Sequence, residues 1–310
     1  MEYTKKPLSV ESQIEKLKRR GLLFDDENLA ANYLSNISYY RLRAYTYPFQ
    51  DNKKKDKDHH FLKNDIHFHD IIDLYCFDRR LRLLIFNAIE KIEIAVRTKI
   101  VYEYSVATNN SHWFTDKNLY FDTEKYEKTC DDIEADLKNN KKAEDFIKHY
   151  YEKYKSPEQP QPPAWMTLEV LTFGKLIKLY SRLDKNHDAN KKIVKSFGLS
   201  KVEILRNWLF AVTVLRNFCA HHSRIWNRRF LINIIFPSNA ENFIDKATVA
   251  TIRNNKIFAY LSCIKYMLNI ISPESNFKEN LTEIIDKGGS LLKLKDMGFP
   301  ENWESFDVWK

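Results

Sequence analysis

A long stretch of helical periodicity constrains this chain more than any other feature. From residue 68 to about residue 104, apolar side chains recur at Ile71, Leu74, Tyr75, Leu81, Ile85, Ile89, Ile92 and Val96. Steps of three and four place them on one face of an α-helix, whereas a half-buried strand needs strict alternation. Sandwiches and barrels also need many turns, and the 310 residues include only 6 Gly. The chain is therefore expected to be all-α. At 44% hydrophobic and 14% aromatic residues it can bury a sizeable core, which excludes a disordered chain.

A second helical run starts near Lys201 and leads into LRNFCAHHSRIWNRR, residues 215–229. On a helical wheel, Ile204, Leu205, Trp208, Leu209, Ala211, Val212, Leu215, Phe218 and Cys219 share one broad apolar arc. Glu203, Arg206, Thr213, Asn217, His221 and Arg224 lie opposite, with Arg216 at the border. Asn217 and His221 are four apart and share a face, and Arg224 lies three beyond. A core helix thus presents Arg, Asn, His and Arg at one end. If the helix continues through residue 222, His222 falls within the apolar arc and is expected to pack in the core. The Arg-x4-His spacing is weak alone, since Arg182 and His187 repeat it in a polar segment.

Other stretches leave alternatives open. In SYYRLRAYTYPF, residues 38–49, Tyr40, Arg41 and Arg43 suit stacking on and clamping single-stranded bases. The same pattern also suits a helix that packs its rings inward while its arginines reach solvent. Glu90, Glu93 and Arg97 share a helix face. They make either an intrahelical Glu93–Arg97 ion pair or a polar strip facing the 201–222 helix, where Glu93 orients a catalytic group. Residues 50–64 form a charged loop; His59 and His60, with His67 and His69 beyond, read as solvated rather than as a metal site. Cys76, Cys130, Cys219 and Cys263 are scattered, as expected of reduced thiols in a cytoplasmic protein. The net charge of +8 favours a polyanionic partner.

Further helices are expected from a Ser9 cap to Gly21, over 28–37, over 165–183 and 246–271, and more weakly over 277–287. A charged helical hairpin over 122–155 should bend near 138–142. An apolar stretch with Trp226 follows the 201–222 helix, and the aromatic tail should dock on the body. SPEQPQPP, residues 156–163, is a Pro-rich linker inside a single domain spanning 1–310. No segment approaches a membrane-spanning apolar length, no nucleotide-binding fingerprint is present, and no cofactor is expected.

RNFCAHH followed by RIWNR resembles the Arg-x4-His motif of HEPN-domain ribonucleases, and more narrowly the bacterial abortive-infection family of AbiD/AbiF type. SYYRLRAYTYPF, EKIEIAVRTKI (residues 90–100) and PAWMTLEVLTFG (163–174) resemble the same family in the same order, so the likeness covers most of the chain. Arg43-Ala44 departs from the small pair expected there, which bears on substrate or partner choice. The resemblance implies a HEPN-like helical bundle with additional helices around it, acting as a metal-independent endoribonuclease in antiphage defence. It implies catalytic roles for Arg216, His221 and Asn217, supported by Glu93, Arg97, Arg224 and His222. RNA contacts would fall to Tyr40, Arg41, Arg43 and Arg228. It further implies a homodimer, with a small RNA or protein as a possible neutralising partner. HEPN toxins silenced by nucleotidylation carry a Tyr shortly after the motif His; Ser223 stands there, so that control is not expected. The alternative is a non-catalytic module that senses RNA or protein.

Overall fold

The computed structural model describes residues 2, 4, 6–52, 59–140, 144–155, 161–238 and 240–310. Among them the helices are α1 Val10–Arg19, α2 Glu27–Ile37, α3 Tyr39–Thr46, α4 Phe68–Thr108, α5 Thr123–Asn140 and α6 Asp145–Lys153. They continue as α7 Ala164–Thr167, α8 Phe173–Arg182, α9 Asp188–Ser196, α10 Val202–Ala220, α11 Lys246–Val249, α12 Ile257–Ile271 and α13 Phe277–Asp286. The described residues form isolated β-bridges but no strand, so the chain is all-α. No helix is long and apolar enough to cross a membrane. Lysines 53–55, part of the expected bend (141–142) and most of the Pro-rich linker (156–160) lie outside the described residues.

The chain divides into two compact units. The first comprises Met1–Leu84, Arg224–Trp226 and Glu279–Leu294. The second comprises Ile85–Ser223, Asn227–Lys278 and Lys295–Lys310. Helix α4 contributes its first part to one unit and the rest to the other.

In the first unit, the expected Ser9 cap is formed, and α2 has a cap of its own. Ser9 accepts from the Ser12 N–H, and Asp26 accepts from the N–H groups of Asn28 and Leu29. The unit is centred on Asp78, a wholly buried carboxylate of α4. The Tyr45 hydroxyl donates to it at 2.6 Å, and the peptide N–H groups of Ile225 and Trp226 donate at 3.2 and 2.6 Å. The Arg82 guanidinium pairs with it one turn along α4. Burial pushes the Asp78 carboxyl above its usual range, while Arg82, Tyr45 and the two peptide groups oppose that shift. Tyr45 also stacks on Trp226, with ring centroids 6.2 Å apart.

In the second unit, α10 runs through the core. Its apolar arc is buried as the wheel requires, from Ile204 and Leu205 to Leu215 and Cys219, with Phe218 half-buried. Thr213 is buried as well, against expectation. Its hydroxyl donates to the Leu209 carbonyl, which satisfies it within the helix. An added Cβ on Gly174 would lie 3.7 Å from the Thr213 methyl, an ordinary van der Waals contact, so packing does not demand a glycine there. The tail docks through buried Val308 and Trp309, the latter stacked on Phe258 and Phe277.

Two expected helices are broken. The 165–183 run is interrupted between α7 and α8, where Arg97 draws the carbonyls of Leu168, Glu169 and Leu171 onto its guanidinium and Thr172 caps α8. The 246–271 run is interrupted between α11 and α12. There the Asn255 and Asn254 carbonyls accept from the N–H groups of Phe230 and Ile234, tying that segment to the irregular stretch after α10. In both places a long-range hydrogen bond takes a carbonyl that helix continuation would need.

Removing one partner of a buried ion pair leaves the other charged and desolvated. Asp78→Ala should therefore cost about 3–5 kcal/mol in urea unfolding. A loss below about 1 kcal/mol would show that the Asp78 cluster does not anchor the unit.

Candidate functional site

Helix α10 ends in a Schellman turn. The Ser223 N–H bonds the Phe218 carbonyl at 2.9 Å, and the His222 N–H bonds the Cys219 carbonyl at 3.1 Å. His221 is the C-cap residue, and its N–H reaches the Asn217 carbonyl at 3.0 Å. His222 takes the left-handed position at φ 54°, a place usually given to Gly.

This turn corrects the expectation for His222. The helix stops at Ala220, the wheel no longer applies beyond it, and His222 is exposed rather than packed in the core. Asn217 is exposed as the wheel requires, and His221, the C-cap residue beyond the last helical turn, is exposed too. Arg216 is half-buried, with its guanidinium 5.5 Å above the ring of Phe86 on α4. That cation–π contact holds the guanidinium by its face and leaves its in-plane donors uncommitted, since no carboxylate pairs with Arg216 among the described residues. Five residues, about 7.5 Å of helix rise, separate Arg216 from His221. A half-buried permanent cation and an exposed imidazole thus stand at the end of a core helix. The helix-end carbonyls carry partial negative charge, so an anion held there needs nearby cations to outweigh them. Besides Arg216, Arg228 meets that need, its guanidinium 4.3 Å above the Phe218 ring.

The remaining predicted residues are placed elsewhere or differently. Arg97 is buried and bonds Glu93 at 3.0 Å as well as the carbonyls between α7 and α8. Glu93 stands seven residues, about 10 Å of helix rise, from the Phe86 that Arg216 covers. The structure thus brings Glu93 and Arg97 together with each other and with residues 168–171. Arg224 lies past the helix, in the first unit, where it donates to the Ala44 carbonyl and stacks at 5.7 Å over Trp226. The wheel position given to it therefore does not apply. In α3, Tyr45 is buried, but Tyr40 is 85% exposed and Arg41 is exposed beside it. Arg43 contacts His59 at 3.3 Å and stacks on Tyr47 at 5.8 Å. The helix thus combines both alternatives, one ring inward and a Tyr–Arg pair outward.

Sequence reasoning missed Asp78, whose partners lie 33 and 147 residues away. The available signal was its register: Asp78 stands between Leu74 and Leu81, at a position on the apolar face of the helix.

The turn at His222 yields a stability prediction. His222→Gly should unfold at the same temperature or slightly higher. A β-branched His222→Val should lose roughly 1 kcal/mol, because its Cβ substituents clash at positive φ. A large loss for His222→Gly would restore the core role.

Residues 32–227 match the family described as Abi-like protein. The match encloses the segments from α3 through α10, including the Arg216–His221 helix end. No curated protein matches the chain, and no solved structure does. With well over half its length covered, the chain belongs to the Abi-like protein family.

Proposed function

We propose that this chain is a HEPN-type, metal-independent endoribonuclease acting in abortive infection. Membership of the Abi-like family supports the defence role. The observation that carries the chemistry is the end of α10, where an exposed His221 and a half-buried Arg216 follow a helix that is otherwise core. Neither has a hydrogen-bond partner among the described residues that would keep it from a substrate. In this reading His221 exchanges a proton with the ribose 2′-hydroxyl, a task suited to imidazole near neutral pH. Arg216 holds the scissile phosphate and stabilises charge developing on its oxygens. Asn217 orients the imidazole or binds a phosphate oxygen, and Arg228 adds positive charge. Tyr40, Arg41 and Arg43 are assigned to RNA binding, Tyr40 as a stacking surface. Two copies of such a sparse site complete one another in a homodimer, and a small RNA or protein is the candidate neutralising partner.

Two arginines, an amide and an imidazole offer no carboxylate set for a magnesium ion, so cleavage should proceed in EDTA and leave a 2′,3′-cyclic phosphate. His221→Ala and Arg216→Ala should each lose about 10²–10⁴-fold in rate with little change in melting temperature. The double variant should be scarcely worse than either single one. Strict dependence on a divalent ion would sink the mechanism, and binding without cleavage would favour the sensor reading.

RNA affinity should also fall steeply between low and physiological salt as Lys and Arg displace counterions. An affinity that is flat over that range would argue for a protein partner instead.

A further inference from the structure

Within the first unit, three side chains far apart in sequence converge outside the proposed catalytic group. Leu23 and His67 form a parallel bridge: the Leu23 N–H bonds the Ile66 carbonyl at 3.0 Å, and the Phe68 N–H bonds the Leu23 carbonyl at 2.8 Å. Phe68 is buried and stacks on Phe24 at 5.2 Å, so His67 and His69 flank an inward ring and both turn outward. Asp25 follows Phe24 on the opposing segment and meets both. Its two carboxylate oxygens lie 2.8 Å from His67 Nδ1 and 2.7 Å from His69 Nδ1. One ligand atom from each of the three residues lies within 4.8 Å of the others.

We propose that Asp25, His67 and His69 bind a divalent transition-metal ion of the zinc type, fastening the loop before α2 to the start of α4. Two imidazole nitrogens and a carboxylate oxygen form a borderline donor set. It suits Zn²⁺, Co²⁺, Ni²⁺ or Cu²⁺, whereas Mg²⁺ and Ca²⁺ prefer oxygen alone. Ligands on one tetrahedral ion with bonds of about 2.0–2.1 Å sit roughly 3.3 Å apart, a spacing that small rotations of these side chains supply. A carboxylate only accepts hydrogen bonds, so without the ion both Nδ1 atoms carry hydrogen toward Asp25. When the ion enters it takes the Nδ1 lone pair, so the hydrogen there moves to Nε2 of a neutral imidazole or leaves a protonated one for solvent. Asp70 is placed to orient the outer layer. It accepts from the His67 N–H at 2.9 Å and from Ser290 Oγ at 2.7 Å, and its Oδ1 lies 3.7 Å from His69 Nε2. The exposed side of the cluster leaves the remaining coordination positions to water.

The test uses the full-length, tag-free protein. Titration with Co²⁺, followed by visible ligand-field absorption, should saturate at one equivalent per chain, and Zn²⁺ should bleach the bands. His67→Ala, His69→Ala and the near-isosteric Asp25→Asn, each confirmed folded by circular dichroism, should bind at least about 100-fold more weakly. Arg216→Ala should bind as the unaltered chain does, which separates this site from the proposed catalytic one. Absence of Co²⁺ binding in the unaltered protein, or equal binding by the folded variants, would overturn the proposal.

Discussion

The buried carboxylate of Asp78 is the constraint on which the first unit depends. A charge with no solvent around it must be matched by donors, and here the donors come from three distant parts of the chain: Tyr45 of α3, Arg82 of α4, and the peptide groups of Ile225 and Trp226. The chain leaving α10 passes into this unit for Arg224–Trp226 before returning to the other. What holds those three residues is mainly the matching of one buried charge, supplemented by the Tyr45–Trp226 and Phe49–Trp226 stacks. Truncating Asp78 would leave Arg82 charged in the core and two peptide groups without their acceptor.

A second buried cation plays the corresponding part in the other unit. Arg97 collects three main-chain carbonyls and the Glu93 carboxylate. The four stretches that carry the family resemblance therefore pair off physically. Residues 38–49 meet 224–226 through Asp78 and Ala44, and residues 90–100 meet 163–174 through Arg97. Much of what makes this chain look like its family is structural, a pair of buried charges with their hydrogen-bond partners. Arg216, Asn217 and His221 differ in kind, because their polar groups do no comparable work inside the fold.

That contrast gives the helix end its functional weight. A charged or titratable side chain on a core helix normally reaches solvent at random or is satisfied nearby. Here the Phe86 ring holds Arg216 by its face, and the Schellman turn fixes the backbone that carries His221. Both devices position a group without consuming its hydrogen-bonding capacity. The helix ends at Ala220, and the left-handed turn at His222 that closes it leaves the His221 imidazole at the surface.

Local periodicity was legible in the sequence: the all-α class, the long α4, the buried arc of α10, the cap at Ser9, and the exposure of Asn217. These are properties of residues within a few positions of one another, and helical spacing records them directly. Tertiary structure alone decided where helices break, because Arg97 and the N–H groups of Phe230 and Ile234 take carbonyls from far along the chain. It decided that His222 faces water, since a left-handed residue ends the wheel without any Gly to announce it. It also decided that Asp25 meets His67 and His69 across 42 and 44 residues. A spacing pattern cannot encode such a meeting; only the pairing of two backbone segments creates it.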